Sequence, residues 1–244
     1  MGGGNHISDV EAVAAKDSPV HRLDPRVKIV GLIGLVVVSV SLPPGSWLAF
    51  AAVMAILVGL VAVARLHPLH VLRRMTIEVP FLLAAAILPF TAEDGLVLGA
   101  TAGLKITVGV LAMVILSSTT PFPRLLRGFE LLKTPRLIVV IVAFMWRYLH
   151  VLADEVSRMK TARAARGYSA GRIRQTLAPT GALIATLFVR SLERGERVYL
   201  AMLSRGYSGS MPATAVERLA LRAVDVSFLA TLAALLVLIR VWLP

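Results

Sequence analysis

The sequence contains no cysteine, which excludes disulfide frameworks, thiolate metal sites and a cysteine nucleophile. It is also poor in charge, with charged residues at 16% of 244 positions, against about a quarter in soluble domains. Acidic residues are the scarcer sign, 14 against 26 Lys and Arg. No Gly-x-x-x-x-Gly-Lys-[Ser/Thr] occurs, so the chain has no usual P-loop and energy from ATP must come from another protein. Hydrophobic residues fill 57% of the chain, and the mean hydropathy is +0.79. A chain this apolar is neither a disordered segment nor a nucleic-acid arm, despite its net charge of +12. Basic excess on an apolar chain belongs in cytoplasmic loops beside anionic lipid. The fold class that follows is all-α, a helical integral membrane protein.

A spanning helix needs about 20 mostly apolar residues. Five stretches are predicted to cross: Val27 to Leu42, Trp47 to Ala64, Ile77 to Phe90, Gly95 to Thr119 and Val226 to Trp242. The first opens after Asp24-Pro25 and closes at Pro43-Pro44-Gly45, so it forms a hairpin with the second. The third is short and carries Pro80 and Pro89. The first 20 residues are polar and lack the apolar core of a secretory leader, which predicts a loosely ordered tail. Arg65, Arg73 and Arg74 place the loop after the second stretch in the cytoplasm, while Glu93 and Asp94 place the next loop outside. The amino end, with Arg22, Arg26 and Lys28, is then cytoplasmic.

Residues 120–225 are of another kind. Leu137 to Trp146 and Leu177 to Val189 are apolar but too short to span comfortably, and each runs straight into charge. Leu152, Val156, Met159 and Ala162 recur at helical spacing, as do Leu192, Tyr199, Met202 and Leu203. Two long helices are predicted, embedded at their starts and charged at their ends. They repeat: Arg158, Ala162, Arg166, Gly167, Tyr168 and Ser169 recur 39 residues later as Arg197, Ala201, Arg205, Gly206, Tyr207 and Ser208. A Gly after the last periodic residue and a nearby Arg suit any helix C-terminus. The repeat as a whole also fits an Arg fork offered to a carboxylate-lined groove on a partner. Phe122 to Lys133, with Arg124 and Arg127, reads as an interfacial helix on anionic lipid.

Three further features invite weighing. Lys105 lies about ten residues into the fourth stretch, near mid-membrane, where a charge is either an interior hydrogen-bonding residue or part of a transport pathway. Gly95, Gly99 and Gly103 form a small-residue face, read as a packing seam before a sliding surface for another subunit. His67 and His70 have a permissible metal spacing, but Pro68 intervenes and no acid is near, so both are read as loop histidines. His150 is read as a helix-surface residue. No cofactor and no metal site are expected.

Ala165-Arg166-Gly167 and Ser204-Arg205-Gly206, closing two charged helices behind four spans, resemble the signature of the T component of energy-coupling factor transporters. The segment Asp17-Ser18-Pro19-Val20-His21-Arg22-Leu23-Asp24-Pro25-Arg26-Val27-Lys28 is similar to the cobalt-transport branch, the CbiQ type. Ser204 departs from the Ala of the family pattern, though a small residue still fits. The resemblance implies a non-catalytic coupling subunit of an ATP-driven importer in the bacterial cytoplasmic membrane. It implies two ABC-type ATPases as partners, docked on the two motifs, and a CbiM-like membrane subunit that binds the substrate. It implies cobalt uptake, with nickel, biotin or another vitamin as alternative cargo. The domains expected are a tail at 1–20, a membrane domain of four spans at 21–119, a cytoplasmic coupling region at 120–225 and a last span at 226–244. Against a secondary transporter stands the lack of facing broken helices in two inverted halves. Against an enzyme stands the lack of clustered intramembrane Asp, Glu or His. A lipid-binding anchor explains the basic stretch but not its repeat.

Overall fold

The computed structural model describes residues 18–90, 93–167, 173–207 and 222–242, with 173–179 and Trp242 described by backbone alone. The described residues form helices and turns, and they fall into two compact units. The first unit comprises the described residues up to 132 together with 222–242, and the second comprises 133–207.

The first unit is built on four apolar helices: α1 (Pro25–Ser41), α2 (Trp47–Val63), α5 (Gly95–Thr119) and α9 (Ala223–Trp242). Asp24 starts α1 by accepting the Arg26 N–H at 2.9 Å, with Pro25 where its missing N–H costs nothing. Pro43 and Pro44 stop it, and Gly45 at φ +90° turns the chain toward α2. The core is apolar, from Leu35, Phe50, Val53, Leu57, Val108, Ile115, Leu232 and Leu236. Ile33, Val37, Val58, Met113 and Leu235 on the outer faces are exposed and equally apolar, as a lipid-facing surface requires.

Between α2 and α5 the structure departs from the sequence expectation. Ile77 to Phe90 is not one spanning helix. The chain forms α3 (Pro68–Met75), a 3-10 turn (Thr76–Glu78), α4 (Val79–Ala85) and a second 3-10 turn (Leu88–Phe90). Proline is the cause: Pro80 opens α4, and Pro89 has no N–H to give the carbonyl of Ala85. The broken segment still follows α5 from end to end. Arg74 donates to Ser117 and Ser118 at one end, while at the other a methyl on Gly95 would lie 2.2 Å from the Leu88 carbonyl oxygen. Gly99 meets the Ala85 carbonyl oxygen in the same way at 2.9 Å, and Gly103 faces Leu82 at 3.5 Å. The three-glycine face is therefore packed against the chain's own broken helix. A short amphipathic helix, α6 (Phe122–Leu131), follows α5 and rests Gly128 against Pro25 and Ile29 of α1.

The second unit is a pair of long helices, α7 (Arg136–Ala165) and α8 (Ile173–Ser204). None of its side chains described is buried. Leu137 to Trp146 was expected to be too short to cross, but α7 is continuous for 30 residues and its first part holds an 18-residue window apolar enough for a membrane. Gly95–Thr119 and Ala223–Val241 are the other described helices of sufficient length and hydropathy, with Trp47–Val63 somewhat shorter.

Candidate functional site

The two Arg motifs occupy the same position on their helices. Ala165 is the last residue of α7, Arg166 its C-cap, and Gly167 follows at φ +81°. Ser204 is the last residue of α8, with Arg205 next and Gly206 at φ +79°. The N–H of Gly206 donates to Leu203 and that of Tyr207 to Met202, at 2.9 and 3.0 Å, which is a complete Schellman cap. In α7 the N–H of Gly167 donates to Ala164 at 3.0 Å, the equivalent bond. Tyr168 and Ser169, and Ser208 of the second copy, lie outside the described residues. Ser204, where α7 has Ala165, turns its extra hydroxyl back onto the Ala201 carbonyl at 2.9 Å.

This cap does two things at once. It satisfies the last carbonyls without the Arg side chain, and it leaves that side chain exposed. Ala165, Arg166, Gly167, Ser204, Arg205 and Gly206 are all exposed. Neither guanidinium of Arg166 or Arg205 is held by a described residue. Each is thus a five-donor planar fork at a helix end, suited to carboxylate or phosphate.

A feature missed in the sequence joins the two helices. Glu155 of α7 accepts from Arg190 of α8 with one oxygen at 2.5 Å and from Arg158 of its own helix with the other at 3.0 Å. Arg158 and Arg190 hold its carboxyl below the usual carboxylate range. The sequence offered a signal only in part: Glu155 and Arg158 are at helical spacing, but nothing in it pairs position 155 with 190. His150 lies on α7 with its ring edge-on to Trp146, 5.2 Å between centroids.

Lys105 is half-buried, and its ammonium donates to the Val40 carbonyl at 2.9 Å, in the last turn of α1. That carbonyl has no partner within its own helix, so the lysine satisfies a helix C-terminus at an exposed position on the apolar bundle. Lys28, counted in the sequence toward the positive charge of the amino end, is held more deeply. It is 4% exposed and donates to the Thr119 carbonyl at 3.1 Å and the Thr120 hydroxyl at 3.0 Å. His67 stands at the N-cap of α3 without a side-chain capping bond, and His70 lies in the first turn of that helix and not in a loop. No described group of three His, Asp or Glu residues is arranged to hold a metal ion.

The chain is similar to known proteins over most of its length. The family described as "Cobalt transport protein", CbiQ, matches residues 16–216. An uncharacterized protein of Methanocaldococcus jannaschii is 35% identical over 49% of this chain and 44% of its own length. A putative ABC transporter ATP-binding protein of Bifidobacterium longum is 29% identical over 87% of this chain and 30% of its own length. This chain thus spans less than half of either of those two relatives. The energy-coupling factor transporter transmembrane protein EcfT of Limosilactobacillus fermentum is 28% identical over 86% of this chain and 87% of its own length. With the family matched over most of its length, this membrane protein belongs to the CbiQ-type T components of energy-coupling factor transporters.

Proposed function

We propose that this chain is the coupling scaffold of an ATP-driven importer, and that Arg166 and Arg205 are its contacts with two ABC-type ATPases. The observation that carries the reading is the pair of matching helix ends, each with a left-handed glycine whose N–H bonds back into the helix, and each leaving an exposed Arg without a partner among the described residues. A fork held this way suits two parallel hydrogen bonds to a carboxylate on a partner. The relative named as a putative ABC transporter ATP-binding protein, of which this chain matches 30%, supports ATPases as the partners. The excess of positive charge supports a cytoplasmic position, where ATP is, for the Arg65 to Arg74 loop and the coupling helices. The second partner is a membrane subunit that binds the substrate, and the family description favours cobalt ion as cargo. The chain itself performs no catalysis; ATP is hydrolysed by the partners.

The test is co-purification from the native membrane. ATPases with P-loops should accompany the wild-type chain, and the Arg166→Ala/Arg205→Ala protein should insert at normal abundance without them. A wild-type chain recovered alone, or a double variant that keeps its ATPases, overturns the reading.

A further inference from the structure

The stretch Asp24-Pro25-Arg26-Val27-Lys28 starts α1, but a helix start does not require a buried ammonium four residues on. Lys28 gives its donors to three oxygens: the Thr119 carbonyl, the Thr120 hydroxyl and, at 3.4 Å, the His21 carbonyl. Thr119 and Thr120 are themselves buried and end α5, just before the chain departs through α6 toward the coupling unit. Gly128 of α6 rests on the same stretch, and a methyl there would lie 3.2 Å from Pro25 and 3.1 Å from Ile29.

The returning chain is held at the same place. Asp225, 3% exposed, lies in the first turn of α9. Its Oδ2 accepts the N–H of Arg222 at 2.9 Å, the reach-back half of a capping box. Its Oδ1 accepts the N–H of Asp24 at 2.9 Å, across 201 residues of sequence. Five residues of the chain thus grip the last turn of α5, the underside of α6 and the first turn of α9. All of these belong to the membrane unit, and they bracket the coupling unit in sequence.

We infer that Asp24, Lys28 and Asp225 form a clamp on both chain connections of the coupling unit, through which movement of the coupling helices reaches the spanning helices. The physical reason is directionality. Apolar helix seams in lipid resist separation but tolerate sliding, whereas buried charge-assisted hydrogen bonds lose their strength with small changes in angle and distance. A clamp built of them moves as one piece. These are positioning residues, and the inference rests on the coupling role proposed above.

The experiment uses the full complex, chain with ATPases and substrate-binding subunit, in lipid nanodiscs. Since this chain lacks cysteine, spin-label pairs can be introduced in it directly, with reactive partner cysteines replaced. Ser157→Cys with Glu196→Cys reports on the coupling helices, and Ser41→Cys with Val241→Cys on the far ends of α1 and α9. In otherwise wild-type protein, ATP with vanadate should change both distances by pulsed electron resonance. If the coupling pair does not respond there, the coupling role fails, and the clamp with it. In Lys28→Met and Asp225→Asn the coupling pair should still respond while the membrane pair no longer does. Thr120→Val removes one acceptor and no charge, so it should assemble and show a reduced membrane-pair response. Lys28→Arg should restore part of the response. A full membrane-pair response in the clamp variants overturns the inference. So does loss of the complex in Thr120→Val, because the cluster would then serve folding alone.

Discussion

Glu155 binds Arg190 of the neighbouring helix with one carboxylate oxygen and Arg158 of its own helix with the other. In a helix pair with no buried side chain among those described, such a crosslink fixes how the helices meet. Reversing the pair as Glu155→Arg/Arg190→Glu should restore the spin-label distance between the helices that either single change broadens. Equal broadening in the double variant would show that the pair does not set the geometry. The pH dependence follows from the sign of the shift. The carboxyl sits below its ordinary value, so its contribution is complete above the unfolded carboxylate range, about 4, and is lost as pH falls through the lower folded value. The distance should therefore hold from neutral pH to about 5 and broaden only in stronger acid.

Arg166 and Arg205 should not tolerate lysine, because a point charge cannot reproduce a two-bond fork. Each Arg→Ala change leaves a partner carboxylate unpaired, a loss on the order of 2–5 kcal/mol where the pair is buried. Transport should fall in each single variant and vanish in the double. Arg172 and Arg218, basic but outside the repeat and outside the described residues, should tolerate Ala within assay error.

Gly206 separates capping from docking. Its φ of +79° costs an alanine about 1–2 kcal/mol, while the space around its α-carbon is open. Gly206→Ala should therefore lower thermal stability, with ATPase affinity falling less than in Arg205→Ala. If Gly206→Ala and Arg205→Ala lower stability equally and leave ATPases bound, the motif is only a cap.

The glycine seam of α5 is tested by methyl groups. Gly95→Ala puts a carbon against the backbone of Leu88 and Pro89, and Gly99→Ala one against Ala85. Overpacking of this kind costs about 1–3 kcal/mol. Gly109, on the same helix with nothing within 4 Å, should accept Ala freely. Thermal unfolding in detergent ranks the three, and equal stability of all three would mean that the broken helix yields to the added methyl.

Orientation is read by cysteine labelling. Asp94→Cys, at an exposed position, should react from outside intact cells, and Ser157→Cys and Ser204→Cys only after permeabilisation. Reaction of Ser204→Cys from outside would invert the topology and remove the coupling role.

Sequence alone determined the membrane class, because apolar length and scarce charge leave a chain no soluble alternative. It also determined the helix ends: Asp24-Pro25 opens α1, Pro43-Pro44 closes it, and a glycine after Arg166 or Arg205 takes up positive φ whatever lies around it. These are local matters of backbone sterics and hydrogen bonding, decided within a turn or two. Tertiary structure decided the rest. Pro80 and Pro89 marked a weak span, but only the passage beside Gly95, Gly99 and Gly103 shows how a broken segment follows α5 to its end. Glu155 meets Arg190, and Asp225 meets Asp24, through the path of the chain between them. A carboxylate far along the chain leaves no periodic trace in the sequence, because its partner is chosen by folding and not by spacing.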